Sequence, residues 1–130
     1  MIYDVAIIGA GIIGSCIARE LSKSKLNICM IDKADDVACG TSKANSGIIH
    51  GGFDAKPGTL MAKLNVEGTA MYPQLSEQLH FDYKNNGSLV VGFCDEDMEH
   101  IKKLYQRGKD NGVEKLRIID REELRKLEPN

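Results

Sequence analysis

The chain has no dominant charge of one sign, no CxxC pair, no clustered histidines and no apolar run long enough to span a bilayer. Each absence narrows its function. A formal net charge of -2 at pH 7 creates no field to gather nucleic acid or an anionic membrane surface. The opening MIYDVAIIGAG lacks a basic region and a cleavage pattern, so it reads as mature structure rather than an address tag. His50, His80 and His100 lie far apart with no second ligand at helical or zinc-ribbon spacing, so no metal site is expected. Of the four cysteines, Cys16, Cys29, Cys39 and Cys94, three sit inside or beside apolar runs as small hydrophobes do, which fits a reducing, cytoplasmic setting. Cys39, with no cationic partner evident, is read as a packed small residue rather than a reactive thiol. Internal repeats and low-complexity tracts are also missing.

What is present is unevenly spread. Residues 1–94 carry 17 charged side chains and the last 36 residues carry 19. This contrast predicts a buried front and a tail of solvated amphipathic elements. The 130 residues suffice for one modest domain with a core.

Asp4 to Ile8 is a short apolar run closed by Gly9, as expected of a parallel strand covered on both faces. Ile13, Ile17 and Leu21 recur every four residues, which predicts a helix over 12–24. Leu26 to Ile31 reads as a second strand ending at Asp32. A long segment from Asp36 to Gly58, rich in Gly, Ser, Thr and Asn, connects to a helix beginning near residues 57–59. Leu60, Leu64, Met71, Leu75 and Leu79 mark its expected buried face, and Pro73 is expected to kink or divide it. Beyond the turn signal Asn85-Asn86-Gly87 come a predicted strand over 88–94 and a helix over 95–110 with Met98, Ile101, Leu104 and Tyr105 inward. A brief strand over 116–119 follows, and Asp120 with Glu123 resembles a capping box opening a short helix. Arg19, Arg107, Arg117, Arg121 and Arg125 are read as solvated and structural.

Two stretches carry chemistry. Gly9, Gly11 and Gly14 stand at GxGxxG spacing between a strand and a helix, and Asp32 follows at the end of the second strand. Gly9 permits a tight turn, Gly11 lets backbone approach a pyrophosphate, and Gly14 lets the helix lie close on the strand. The helix N-terminus then offers unpaired N–H groups and its positive dipole end. Asp32 would accept from the adenosine ribose and repel a 2'-phosphate, which disfavours NADP and leaves NAD and FAD. In the second stretch, Gly40 to Gly52, short hydroxyl and amide groups on a flexible backbone could donate to a pyrophosphate, a ribityl chain or an isoalloxazine edge.

GAGIIG, the acid ending strand two, TSKANSGIIHGG and KPGTLMAKLNVEG together resemble FAD-dependent oxidoreductases of the D-amino-acid oxidase superfamily. The branch holding FAD-linked glycerol-3-phosphate dehydrogenases and L-2-hydroxyglutarate oxidases is the one most similar. The resemblance implies an α/β chain: the N-terminal part of a Rossmann-like FAD/NAD(P)-binding domain over 1–84, then the first part of an inserted substrate-domain segment over 85–130. It implies FAD held by Gly9, Gly11 and Gly14, with Asp32 and Lys33 at the ribose. Thr41, Ser42, Lys43, Asn45, Ser46, Gly47 and His50 would line the path from phosphate to flavin. One departure is that strand two ends in Asp where Glu is frequent.

The implied reaction oxidises a secondary alcohol, that of glycerol 3-phosphate or alternatively of a 2-hydroxy acid such as L-2-hydroxyglutarate, with electrons passing on to a quinone or other acceptor. His50 is the one titratable group in the motif suited to acid/base work near neutral pH; it is read first as flavin-positioning and second as a catalytic base. The chain is expected to be the opening portion of a longer enzyme, inactive alone, with little or no hold on FAD and with apolar surface favouring self-association. The longer enzyme is expected in the cytoplasm or peripheral to the inner membrane face. Alternatives from other classes are an NAD-binding module without flavin chemistry and a non-enzymatic interaction domain.

Overall fold

In the computed structural model, which describes residues 2–129, the elements run β1 (Val5–Ile8), α1 (Ile12–Leu21), β2 (Ile28–Ile31), α2 (Leu60–Leu79), α3 (Asp95–Asp110) and α4 (Arg121–Leu127). Two compact units divide the chain, Met1–Ile48 and Ile49–Asn130.

The first unit is a β-α-β unit, which meets the α/β expectation. β1 and β2 pair in parallel, from Val5 opposite Ile28 to Ile8 opposite Ile31. Asp4 extends the pairing: its N–H donates to the Asn27 carbonyl at 2.9 Å, and its carboxylate accepts from the Asn27 N–H at 2.8 Å. α1 ends three residues before the predicted stop. There the Ser22 hydroxyl donates to the Arg19 carbonyl at 2.8 Å, a local bond that competes with helix continuation.

The expected buried front is corrected. Ile7 and Ala10 are buried in this unit, while Ile8 is 89 % exposed and Ile31, Ile12, Ile13 and Ile17 are exposed as well. Successive side chains of a strand point to opposite faces, and one helix covers one face of a parallel pair. Ile7 faces α1; Ile8 faces away from it.

In the second unit, Thr59 caps α2, its hydroxyl accepting from the Ala62 N–H at 3.3 Å. Pro73 does not divide the helix, which runs unbroken from Leu60 to Leu79. The expected inward stripe fails at four of its five positions: Leu60, Leu64, Met71 and Leu79 are exposed, and Leu75 is half-buried. Ala62 is buried, with Asn65, Val66 and Thr69 partly covered. These smaller residues lie toward the loop that precedes the helix, where backbone carbonyls need donors and there is no room for leucine.

α3 begins with Asp95, Glu96 and Asp97 and ends with Arg107 and Lys109, matching its dipole at both ends. Of its expected inward stripe, Ile101, Leu104 and Tyr105 are half-buried while Met98 is exposed, and Gly108 adds a buried position. The predicted strands over 88–94 and 116–119 are not strands. Both segments border a cleft of about 1210 Å³ beside α3 and α4. A strand exists only through ladder bonds to a neighbour, and neither segment has one among the described residues. The capping box at α4 is present: Asp120 accepts from the Glu123 N–H at 2.9 Å. Among the described residues, no helix is long and apolar enough to cross a membrane.

Candidate dinucleotide site

The site is built where β1 hands over to α1. Gly9 takes φ +106°, a conformation that costs an L side chain dearly, and its N–H donates to the Ile31 carbonyl at 2.7 Å. The turn is therefore tied to the end of β2. Gly14 sits on the first turn of α1, facing back onto that loop. A Cβ there would intrude on the Gly9 carbonyl oxygen and lie 3.3 Å from Ile7 Cγ2. Helix and strand are this close because residue 14 has no side chain.

Gly11 is the N-cap of α1 and offers no side-chain cap. Ser42 supplies one from thirty residues away, its Oγ accepting from the Ile12 N–H at 2.9 Å. A Cβ on Gly11 would meet that oxygen at 3.0 Å, so the bare glycine makes room for the hydroxyl. Helical bonding starts at the Ser15 N–H, which donates to the Gly11 carbonyl. The Ile13 and Gly14 amides thus remain outside the helix ladder at its positive end.

Asp32 closes the other side. Its Oδ2 accepts from the Ala10 N–H at 2.7 Å and its Oδ1 from the Ala34 N–H at 2.9 Å. The Ala10 amide is the main cause that holds this carboxyl below the ordinary carboxylate range, and the Ala34 amide is the second. Asp32 is therefore fully ionised near neutral pH. Its carboxylate ties the turn after β1 to the segment after β2, a structural duty that the fingerprint did not reveal. Ala10 accepts in turn from the Ala38 N–H at 3.0 Å, with Ala38 at φ +59°. Nothing in the pattern of residues marked Ala10 or Ala38.

The second stretch folds back on itself. The Lys43 N–H donates to the Gly40 carbonyl, and the Ala44 N–H to the Thr41 carbonyl, both at 3.1 Å. Asn45 Nδ2 donates to the Ser42 carbonyl at 2.6 Å, and Asn45 Oδ1 accepts from the Gly47 N–H at 2.8 Å, with Gly47 at φ +66°. A relay of bonds thus runs from the start of α1 through Ser42 and Asn45 to Gly47. Lys33, Thr41, Lys43 and Ser46 are exposed, with their side chains available to a ligand. Cys39 is exposed, not packed, on a turn; Cys16 and Cys94 are exposed too.

His50 belongs to the second unit. Its imidazole is exposed and its carbonyl accepts from the Thr69 hydroxyl at 2.8 Å. Of the arginines, Arg107 departs from the solvated reading: it donates to the Asp54 carbonyl at 2.7 Å. Arg117 pairs with Glu123 at the surface.

The donor set and the cradle fit a dinucleotide pyrophosphate. Two amides outside the helix ladder and a dipole end lie beside the turn that Gly9 leaves open, and a Cβ at Gly14 would abolish the close packing that forms it.

Comparison with known proteins agrees with this geometry. A glycerol 3-phosphate dehydrogenase of Caloramator mitchellensis is 52 % identical over 128 residues, which are 98 % of this chain and 27 % of that protein. The mitochondrial L-2-hydroxyglutarate dehydrogenase of Nematostella vectensis is 39 % identical over 98 % of this chain and 28 % of its own. Among solved structures, the dithionite-reduced L-alpha-glycerophosphate oxidase of Mycoplasma pneumoniae with FAD bound superimposes with a TM-score of 0.84 at 36 % identity. That match covers 98 % of this chain and 34 % of the oxidase. The chain thus spans little more than a quarter of the length of the curated relatives it matches. The model of the FAD dependent oxidoreductase family, DAO, matches residues 4–130. With its glycine cradle, ionised acid and Rossmann-like β-α-β opening, the chain belongs to the DAO family of FAD-dependent oxidoreductases, and FAD is the cofactor its fingerprint serves.

Proposed function

We propose that the whole protein is an FAD-dependent dehydrogenase that oxidises glycerol 3-phosphate at its secondary alcohol to dihydroxyacetone phosphate. The observation that carries this reading is the glycine cradle of Gly9, Gly11 and Gly14 against the Ser42-capped helix, in a chain 52 % identical to a glycerol 3-phosphate dehydrogenase. FAD, when bound, supplies the two-electron acceptor that protein side chains lack.

The chain's own residues have separable tasks. The amides of Ile13 and Gly14 would hold the pyrophosphate, with Lys43 adding charge from the second stretch. Asp32 and Lys33 would meet the adenosine ribose, Asp32 using the acceptor capacity left beyond its bonds to Ala10 and Ala34. Thr41, Asn45, Ser46 and Gly47 would line the way toward the flavin. His50 would set the flavin's position or take the hydroxyl proton of the substrate.

Residues 1–84 are assigned to the FAD-binding portion and 85–130 to the start of the substrate-domain excursion. The 130 residues alone are proposed to be inactive and prone to self-association, a reading supported by the exposed Ile8, Ile31 and Phe93. A quinone is proposed as electron acceptor, and the cytoplasm, or the periphery of the inner face of the membrane, as the place of work. Likeness to an L-2-hydroxyglutarate dehydrogenase at 39 % identity supports a 2-hydroxy acid as the second substrate reading.

The test is turnover by the whole protein with an artificial quinone acceptor, together with identification of the cofactor released on denaturation. Flavin adenine dinucleotide and turnover of glycerol 3-phosphate are expected. Released nicotinamide, or turnover of L-2-hydroxyglutarate in preference, would refute the assignment.

A further inference from the structure

His50-Gly51-Gly52 is followed by Phe53, Asp54 and Ala55, a loop whose two consecutive glycines give it little side-chain bulk to fix its path. Four of its carbonyls are nevertheless held by side chains from distant helices. On the α2 side, the Thr69 hydroxyl lies 2.8 Å from both the His50 carbonyl and the Asn65 carbonyl of its own helix, and its one proton is shared between them. At the C-terminal end of α3, both hydrogens of Asn111 Nδ2 are used, one on the Gly52 carbonyl and one on the Ala55 carbonyl, each at 2.8 Å. Arg107, one helical turn earlier, donates to the Asp54 carbonyl at 2.7 Å.

Packing closes the same clamp. A Cβ on Gly108 would lie 3.0 Å from Phe53 Cβ and 3.3 Å from its Cα, so the loop rests on the bare backbone of α3. Gly52 turns at φ +87° against Val66 of α2. Gly52 and Ala55 are buried, whereas the His50 imidazole is exposed. The backbone is thus fixed while the ring it carries stays accessible.

We propose that Arg107 and Asn111 are positioning residues for His50, holding its backbone for the flavin site from more than fifty residues downstream. This rests on the functional reading above, since His50 matters only if the protein works on a flavin. They act through the carbonyls of residues 52, 54 and 55, to which their side chains donate. Asn111→Asp is the sharpest probe, because it keeps the shape and replaces two donors by acceptors aimed at two carbonyl oxygens.

The experiment has two readouts on the whole protein, with its flavin content measured first. The first is amide hydrogen exchange over residues 50–55 in the wild type, Asn111→Asp, Arg107→Ala, Arg107→Lys and the same-helix control Lys102→Ala. Exchange about tenfold faster is expected in Asn111→Asp and Arg107→Ala, with helix content by circular dichroism unchanged. Arg107→Lys, which keeps a donor, should recover most of the protection, and Lys102→Ala should match the wild type. The second readout is steady-state turnover with glycerol 3-phosphate, where kcat should fall about tenfold with KM little changed and the flavin's visible spectrum altered. If the wild type binds flavin but Asn111→Asp and Arg107→Ala keep its spectrum, turnover and exchange, the proposal is overturned. It is overturned equally if Arg107→Lys is as impaired as Arg107→Ala, or if Lys102→Ala is impaired too. A wild type without flavin would instead sink the functional reading and the role given to His50, while faster exchange in the two variants would still establish the clamp.

Discussion

Replacing Gly14 by Ala sets two effects of opposite sign against each other. Gly14 lies within α1, where Ala is favoured over Gly by about 1 kcal/mol on helix propensity alone. Against this, the new methyl would intrude on the Gly9 carbonyl oxygen and stand 3.1 Å from its carbon and 3.3 Å from Ile7 Cγ2. The first two of these atoms are backbone, so no rotamer change relieves the overlap. α1 must move off β1, or the Gly9 turn must open and strain its 2.7 Å bond to Ile31. Overpacking of this kind costs about 3 kcal/mol, which leaves a net loss of about 2 kcal/mol after the propensity gain. For a domain of this size that corresponds to a fall in Tm of roughly 7 °C. The assay is thermal and urea unfolding of wild type and Gly14→Ala, with flavin content measured on the whole protein. A variant more stable than wild type by about 1 kcal/mol would refute the close-approach reasoning, for that is what propensity alone predicts.

Ser42→Ala should cost about 1 kcal/mol by removing the cap on the Ile12 N–H, with Ser42→Thr retaining most of it, as urea midpoints would register. Flavin affinity should fall with it, because the second stretch loses its tie to α1. Asp32 is held below the ordinary carboxylate range, so its contribution to stability is full above about pH 4 and is lost as pH falls through its lowered value. Unfolding curves of wild type and Asp32→Asn should therefore differ most at neutral pH and converge in acid; a gap that widens below pH 4 would contradict the bonding to Ala10 and Ala34. Gly108→Ala should destabilise by about 2 kcal/mol despite its helical position, since a Cβ there meets Phe53 and Leu116, and a neutral or stabilising result in thermal unfolding would argue against that contact.

Local rules made the first βα turn legible. Gly9 takes the tight turn and Gly14 the close helix–strand approach that turn chemistry assigns, and the Asp120 cap of α4 follows the same logic. Non-local bonding was the illegible part. Ser42 capping a helix thirty residues earlier, and Arg107 and Asn111 reaching the loop at 52–55, leave no periodic trace because they depend on where the chain returns. The α2 stripe misled for a related reason. Leucines at helical spacing identify an apolar face, but the backbone of 50–55 took the face bearing Thr69 and Ala62, where donors and small volumes were needed. Segments 88–94 and 116–119 have strand-like composition, yet β propensity expresses fit to a neighbour rather than a property of the segment alone. Exposed Ile8, treated as core from its apolar run, shows the same dependence on what lies opposite.

Anaerobic titration of the whole protein with glycerol 3-phosphate tests the central claim most directly. One equivalent of flavin per chain, bleached by glycerol 3-phosphate and not by L-2-hydroxyglutarate, is the predicted result. A protein that binds no flavin, or whose flavin glycerol 3-phosphate leaves oxidised, would contradict it.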